Sequence, residues 1–284
     1  MEIIDLHAHT TASDGTLTPT ELVDLASRSG LKALAITDHD TIGGVSEGLA
    51  RGREIGLEIV PGIEISVMNP GGTMHMLGYY LDHTDSELNT RLDRLQEARR
   101  ERNPKIIAKL NKLGLDITME EVVAESGGEQ VGRPHFARVM VRKGQAASIN
   151  EAFDRYLTKG GAAYEDKFRY SAEEAIGMIT DAGGLPVLAH PFTLGLEDPR
   201  ELEQVVADLA AKGLKGIEVY YSETPAKRRK AYLALAKKYN LKPTGGSDFH
   251  GNNKAAIKLG RGVGDLQVPY ELLAGLREAL EKKE

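Results

Sequence analysis

The feature that most constrains this chain is a recurring unit: a short apolar, β-branched run, a polar motif with His, Asp or Glu at its end, then an amphipathic helix. Ile3-Ile4-Asp5-Leu6-His7-Ala8-His9 runs on to Asp14-Gly15 and a helix that opens at Thr18-Pro19-Thr20-Glu21. Thr18 can cap that helix, Pro19 suits its first position and Glu21 completes a capping box. Ala33-Leu34-Ala35-Ile36 ends in Thr37-Asp38-His39-Asp40, and the run from Leu57 ends in Glu64. Strand, polar motif and helix in repetition is the grammar of a parallel α/β barrel, which presents its chemistry at one mouth.

The alternation then slips. Ile65–Met68 and Thr73–Tyr80 read as two strands joined by the tight turn Asn69-Pro70-Gly71-Gly72, with His75 on the second. Asp85 to Gly114 is a polar helical stretch rich in Arg and Lys. Pro104 lacks an amide hydrogen, so one helix is expected to end near Arg102 and another to begin near Pro104. From Leu115 to about Tyr170 short helices dominate, over Thr118–Glu125, Arg133–Lys143 and Ile149–Thr158. Barrel grammar returns with a helix from Ser171, then Leu185–Ala189 ending in His190-Pro191, Gly216–Tyr220, and Leu241–Gly246 leading to Ser247-Asp248-Phe249-His250. A helix from about Pro269 closes the chain. Strand markers at Ile3, Ala33, Ile59, Met74, Val187, Ile217 and Pro243 make seven strands. The expected division is a first barrel part over 1–99, a helical insertion over 100–170 covering the active site, and a second barrel part over 171–284.

Composition narrows the chemistry. There is no cysteine, so a metal would have to be held by His, Asp and Glu. A net charge of −6 argues against a broad nonspecific nucleic-acid surface. No apolar run is long enough to cross a bilayer and no charged-then-apolar leader opens the chain, so a cytoplasmic protein without membrane contact is expected.

Six of the eight histidines, His7, His9, His39, His75, His190 and His250, stand at strand ends or in the turn just after one. Strand ends at one barrel face meet whatever their separation in sequence. With Asp14, Glu64 and Asp248 they make nine nitrogen or carboxylate ligands, more than the three or four that one ion needs. If Glu64 bridges two ions, the nine supply about ten bonds, against about fifteen for three five-coordinate ions. Such open positions belong to catalysis, because structural sites are closed. Mn²⁺, Zn²⁺ and Fe²⁺ all suit these donors. Clustered cations lower the pKa of a shared water toward neutrality and clamp phosphoryl oxygens, so phosphate-ester hydrolysis by metal-activated hydroxide is the natural reaction. Asp5, on the same alternation as His7 and His9, is placed to accept a ring N–H and fix a tautomer.

In order, D-L-H-A-H-T-x-x-S-D-G, T-D-H-D, G-I-E, the H-x-x-G-Y around His75, A-H-P and G-S-D-F-H resemble the PHP (polymerase and histidinol phosphatase) family over nearly the whole chain. Within it the chain is similar to stand-alone bacterial phosphoesterases acting on nucleoside 3′,5′-bisphosphates and 5′-phosphorylated oligonucleotides. The resemblance implies a distorted (β/α)7 barrel with three divalent metal ions. Carried over residue by residue, His7, His9, Glu64 and Asp248 hold the first ion, Glu64, His75 and His190 the second, and Asp14, His39 and His250 the third. Asp14, Glu64 and His190 are then catalytic as well as ligating.

For a second phosphate Arg133 is the first candidate, since its guanidinium chelates oxygens bidentately, followed by Lys159 and Arg99. His135 is a candidate general acid, with a structural histidine as the competing reading. Asp38 or Asp40 could orient His39 or cap the next helix; Tyr220-Tyr221 reads as barrel rim and Gly251–Lys254 as a solvated loop. The leading function is hydrolysis of a nucleoside 3′,5′-bisphosphate to the 5′-monophosphate and phosphate. The alternatives are a 5′–3′ exoribonuclease on short 5′-phosphorylated RNA, or a cyclic-phosphate or histidinol-phosphate hydrolase. An amidohydrolase typically uses a carboxylated lysine where Glu64 stands, and a non-enzymatic binding module would close its metal site. No stable protein partner is expected.

Overall fold

A computed structural model describes residues 2–126 and 130–281. In chain order the elements are β1 (Ile3–Ile4), α1 (Pro19–Arg28), β2 (Ala33–Ile36), α2 (Val45–Ile55), β3 (Glu58–Val67), β4 (Met74–Tyr79), α3 (Ser86–Lys112), α4 (Met119–Ser126), α5 (Arg133–Arg142), α6 (Ile149–Ala152), α7 (Ala172–Asp181), β5 (Leu185–Leu188), α8 (Pro199–Ala211), β6 (Gly216–Tyr221), α9 (Ala226–Lys238), β7 (Lys242–Gly246), β8 (Val268–Pro269) and α10 (Glu271–Glu281). The expected capping box at Thr18 forms, with the Glu21 N–H donating to the Thr18 hydroxyl and Glu21 accepting the Thr18 N–H.

Six strands lie side by side in the order β2-β3-β4-β5-β6-β7. The segment after β1 joins the two edges. Asp5 N–H donates to the Ala33 carbonyl and Leu6 N–H to the Gly245 carbonyl, while His9 N–H donates to Phe249 and Thr37 N–H to Ala8. The result is the expected α/β architecture, a curled, parallel-rich barrel-like sheet. Its distortion is β4, antiparallel to both β3 and β5. β3 is a single ten-residue strand, not the two runs broken after Glu64 that the sequence indicated: Ile36 pairs with Pro61 on one side, and Gly62 through Val67 pair with β4 on the other.

The period-two alternation of a strand decides which core each side chain enters. Ala33 and Ala35 join a cluster with Ile4, Leu6, Leu77, Tyr79, Leu185 and Val187, whereas Leu34 and Ile36 pack with Leu22, Val23 and Ala26 of α1. A separate helical core holds Ile106, Leu110, Phe136, Met140 and Leu157.

Pro104 does not interrupt its helix. α3 runs unbroken from Ser86 to Lys112, because it is anchored at both ends. Leu88, Leu92 and Leu95 are buried in the barrel core and Ile106 and Leu110 in the helical one. An interior proline costs about 3 kcal/mol; each buried side chain returns about 1.5–3 kcal/mol, so packing wins. The third predicted insertion helix begins at Ile149 as expected but changes after Ala152 to a π-helical turn over Phe153–Leu157.

Candidate metal centre and anion cavity

The nine candidate ligands arrive from seven places. His7 and His9 follow β1, Asp14 lies in the loop before α1, and His39 follows β2. Glu64 is within β3, His190 follows β5, and Asp248 and His250 follow β7. His75 stands at the start of its strand, yet antiparallel pairing sets it opposite Ser66 near the end of β3. The reversal of β4 therefore brings it to the same mouth.

The structure brings all nine together. Glu64, fully buried, is the hub: Oε1 lies 2.7 Å from His75 Nδ1 and 2.8 Å from His190 Nε2, and Oε2 lies 3.1 Å from His7 Nε2, 3.3 Å from His9 Nε2 and 3.1 Å from His39 Nδ1. Asp248 Oδ1 is 3.2 Å from His9 Nε2, and Asp14 Oδ1 is 3.2 Å from His250 Nε2. Three sets have ligand atoms within 4.8 Å of one another: His7, His9, Glu64 and Asp248; His9, Asp14, His39 and His250; and His39, Glu64 and His75.

These residues fit metal ions on an internal test. His7 Nε2, His9 Nδ1 and Nε2, His39 Nδ1 and Glu64 Oε2 are buried without a hydrogen-bond partner. Buried polar atoms crowded against one another without an aligned hydrogen bond are costly, and a shared cation would satisfy them together. Burial drives His39 down to about 3, so it is a neutral donor. His9 is also opposed by burial, but the carboxylates of Asp248 and Glu64 outweigh that and lift it to about 9. The same negative field that holds a proton there would favour a divalent cation in its place. Backbone strain concentrates here as well: Asp40, His190 and Asp248 have positive φ without being glycine.

The groups around the ligands differ from expectation. Asp5 does not touch the His7 ring; it accepts backbone N–H bonds from His7, Ser247 and Gly260 and the Ser247 hydroxyl, fastening the barrel seam. The imidazole is held instead by Glu218, whose Oε1 lies 3.0 Å from His7 Nδ1 and whose Oε2 accepts the His190 backbone N–H. Glu218 follows the pattern of a polar residue in an apolar strand, Gly216-Ile217-Glu218-Val219, which was the available signal. Neither Asp38 nor Asp40 orients His39. Asp38 accepts from Thr10 and Ser13, holding the loop that carries Asp14, and Asp40 takes Arg99, Lys167 and Ser66. Tyr221 is more than rim: its hydroxyl donates to Asp248 at 3.0 Å. The Gly251–Lys254 turn is a 3₁₀ segment whose Lys254 pairs with Asp248 and whose Asn253 amide donates to the Asp14 carbonyl.

Asp14, His39 and His75 open onto a cavity of about 620 Å³ whose walls carry Arg99, Arg102, Arg133, Lys159, Lys167 and Arg169 against only Asp14 and Asp166. Of the three cations read from sequence, Arg99 is tied to Asp40 at 2.6 Å, Arg133 donates to the Leu157 carbonyl, and Lys159 is exposed with its Nζ 3.4 Å from the Pro70 carbonyl. Arg102, Lys167 and Arg169 were missed, because nothing local distinguishes them from surface charge. Burial, then repulsion from Arg99, Arg133 and Arg169, pushes the Arg102 guanidinium down, a field that an anion would relieve. His135 is buried beside this region. Its Nδ1 accepts the Gly132 N–H, which leaves Nε2 as an unpartnered donor, and burial lowers it to about 4.

An imidazole and carboxylate cluster at the mouth of an α/β barrel, opening on a cation-lined cavity, defines a metal-ligating, anion-binding class of barrel protein. The chain matches the PHP domain over residues 5–250 and belongs to that family. It is 35% identical to a 5′-3′ exoribonuclease of Haemophilus influenzae, over 87% of this chain and 89% of that protein. It is 34% identical to a 3′,5′-nucleoside bisphosphate phosphatase of Chromobacterium violaceum, over 93% of this chain and 91% of the relative. The solved structure of a candidate metal-dependent phosphoesterase from Bifidobacterium adolescentis superposes with a TM-score of 0.83 at 30% identity, covering 97% of this chain and 95% of that one. No helix among the described residues is long and apolar enough to cross a membrane.

Proposed function

We propose that this protein is a metal-dependent phosphoesterase that removes one phosphate from a nucleoside 3′,5′-bisphosphate, leaving the 5′-monophosphate. The single observation that carries this is the junction of two sites: nine convergent His, Asp and Glu side chains, three of which (Asp14, His39 and His75) line a cavity that also carries six cationic side chains. One end suits a reacting phosphoryl group and the other a phosphate that is held but not cleaved.

Three ions are assigned to His7, His9, Glu64 and Asp248, to Glu64, His75 and His190, and to Asp14, His39 and His250. Mn²⁺, Zn²⁺ and Fe²⁺ remain equal candidates from the donor set. When bound, they would supply an activated water and neutralise the phosphoryl oxygens. Glu218 and Tyr221 hold His7 and Asp248 in place. Arg102 and Arg133 bind the retained phosphate, with Arg99 and Lys167 steadied beside it by Asp40. His135 acts as a neutral hydrogen-bond donor through Nε2; with its pKa near 4, few rings are protonated at neutral pH to serve as a general acid. The helical region that packs around Ile106, Leu110, Phe136 and Leu157 serves as a cap, bringing Arg102, Arg133, Lys159, Lys167 and Arg169 to the cavity beside the barrel mouth.

The likeness to the Haemophilus influenzae exoribonuclease favours a second reading, trimming of short 5′-phosphorylated RNA at the same centre. One assay separates them. Metal-reconstituted protein is offered nucleoside 3′,5′-bisphosphates, 5′-phosphorylated oligoribonucleotides, cyclic phosphates and histidinol phosphate. Fastest phosphate release from the bisphosphate is expected. Mononucleotide release from RNA at a far higher kcat/KM would establish the second reading, and turnover of histidinol phosphate alone would overturn both.

A further inference from the structure

Side chains along β3 alternate between two faces. Ile63, Ile65 and Val67 enter the barrel core, so Glu64 and Ser66 lie on the opposite face, and Met68 continues that row one residue beyond the strand. The β4 register sets His75 opposite Ser66, and Thr73 lies two residues before it on the same face. Ser66, Met68, Thr73 and His75 all line the cationic cavity. The cavity floor therefore runs outward from the Glu64 hub. It passes Ser66, whose hydroxyl donates to Asp40 at 3.0 Å and accepts from Arg99 at 3.3 Å. It reaches Met68 four residues on, about 13 Å at about 3.3 Å per residue. There the floor turns apolar. Met68 is 59% exposed, and Pro70 is exposed close by. An apolar side chain left so open at the floor of a cavity has surface to bury against a ligand.

The cap meets this end of the floor. Lys159 Nζ lies 3.4 Å from the Pro70 carbonyl, and Thr158 donates both its backbone N–H and its hydroxyl to the Phe153 carbonyl at 3.0 Å. Phe153, the first residue of the π-helical turn, is half-buried against the helical core and lines the cavity.

We infer that the outer end of the cavity, formed by the Met68–Pro70 hairpin tip and Phe153, is a base-tolerant nucleobase subsite, serving a nucleotide whose phosphates lie at the metal centre and on the arginines. The inference rests on the phosphoesterase reading above and names what is recognised beyond the phosphates. The distance along β3 leaves room for an ion, a phosphoryl group and a sugar between Glu64 and the ring. A thioether and an aromatic ring make contact with the π face that every base presents, and the flexible Met68 adapts to rings of different size. Base edges are not read here. The Asn69 amide nitrogen donates to the Gly72 carbonyl and the Thr73 backbone exchanges hydrogen bonds with Thr193, so these polar groups of the hairpin hold the turn. The ring is gripped by its faces, whichever base it is.

The test is calorimetric binding of adenosine 5′-monophosphate, uridine 5′-monophosphate and ribose 5-phosphate to the metal-loaded protein, ligands that share a sugar phosphate and differ in the base. Wild-type protein is expected to bind each nucleotide about tenfold or more tighter than ribose 5-phosphate, and the two nucleotides within about tenfold of each other. Met68→Ser, at an exposed position where the fold tolerates change, should bring the nucleotide-to-sugar ratio toward one. Phe153→Leu, which keeps an apolar contact with the helical core but removes the aromatic face, should lower the ratio as well. Equal binding of all three ligands by wild-type protein that still hydrolyses bisphosphates would overturn the subsite and leave the phosphoesterase reading intact. A preference undiminished in both variants would do so too. Discrimination between the two nucleotides by more than about tenfold would overturn contact by ring faces alone. Absence of phosphate-ester hydrolysis, with none of the three ligands bound, would overturn both readings.

Discussion

Glu218 reaches two ligands from one carboxylate: Oε1 lies 3.0 Å from the His7 ring nitrogen Nδ1, and Oε2 accepts the backbone N–H of His190 at 2.8 Å. It thereby fixes which His7 nitrogen faces Glu64 and sets the turn in which His190 adopts positive φ. Glu218→Gln keeps the volume but can satisfy only one of those donors. Metal affinity should fall about 10–100-fold in a competitive chelator titration. Unchanged affinity would remove Glu218 from the centre's support.

Glu64 faces five imidazoles within 3.3 Å. Glu64→Ala should lose bound metal by elemental analysis and phosphate-ester turnover together. Full activity in that variant is incompatible with a shared bridging carboxylate.

Arg102 is 3% exposed and bonds only to the Asn103 side-chain oxygen among the contacts seen here, so its charge is held at a cost to stability. Arg102→Met should therefore raise the melting temperature while weakening substrate binding. The loss of a charged hydrogen bond, about 2 kcal/mol, corresponds to a roughly 30-fold higher KM. Inorganic phosphate should stabilise the wild type more than the variant in thermal scans.

Burial lowers Lys167 from its ordinary 10.5 to about 7, with Asp40 opposing the shift. Between those values the unfolded chain carries the extra proton, so this group makes stability rise with pH from about 7 toward 10.5. Binding runs the other way, since the cavity loses a positive charge as Lys167 deprotonates. KM for a phosphorylated substrate should climb above pH 7, and Lys167→Arg, which stays charged, should flatten that climb. A parallel climb in the Arg variant would assign the effect elsewhere.

Gly246 packs where a Cβ would run into the Cβ and backbone nitrogen of His7. Both neighbours belong to the seam that closes the barrel, so neither can withdraw cheaply. Gly246→Ala should cost about 2–3 kcal/mol of stability in urea unfolding and disturb metal binding through His7, whereas Gly30→Ala, in open space but at positive φ, should cost about 1 kcal/mol with metal affinity intact.

The sequence by itself determined the barrel architecture and the nine residues that gather at its mouth. Strand alternation, capping chemistry at Thr18 and the position of each His or carboxylate after an apolar run are local properties, and barrel topology converts strand ends into neighbours. Tertiary structure decided what local pattern cannot carry. Pro104 sits inside a continuous helix because two cores grip that helix from opposite ends. Glu218 rather than Asp5 holds His7, since the partner of a ring nitrogen depends on which strand lies across the barrel, 211 residues away in sequence. Arg102, Lys167 and Arg169 look like solvated charges in the chain; only the fold turns them toward a shared cavity, where Lys167 meets Asp40, Arg169 meets Asp166, and Arg102 is buried against a neutral side chain.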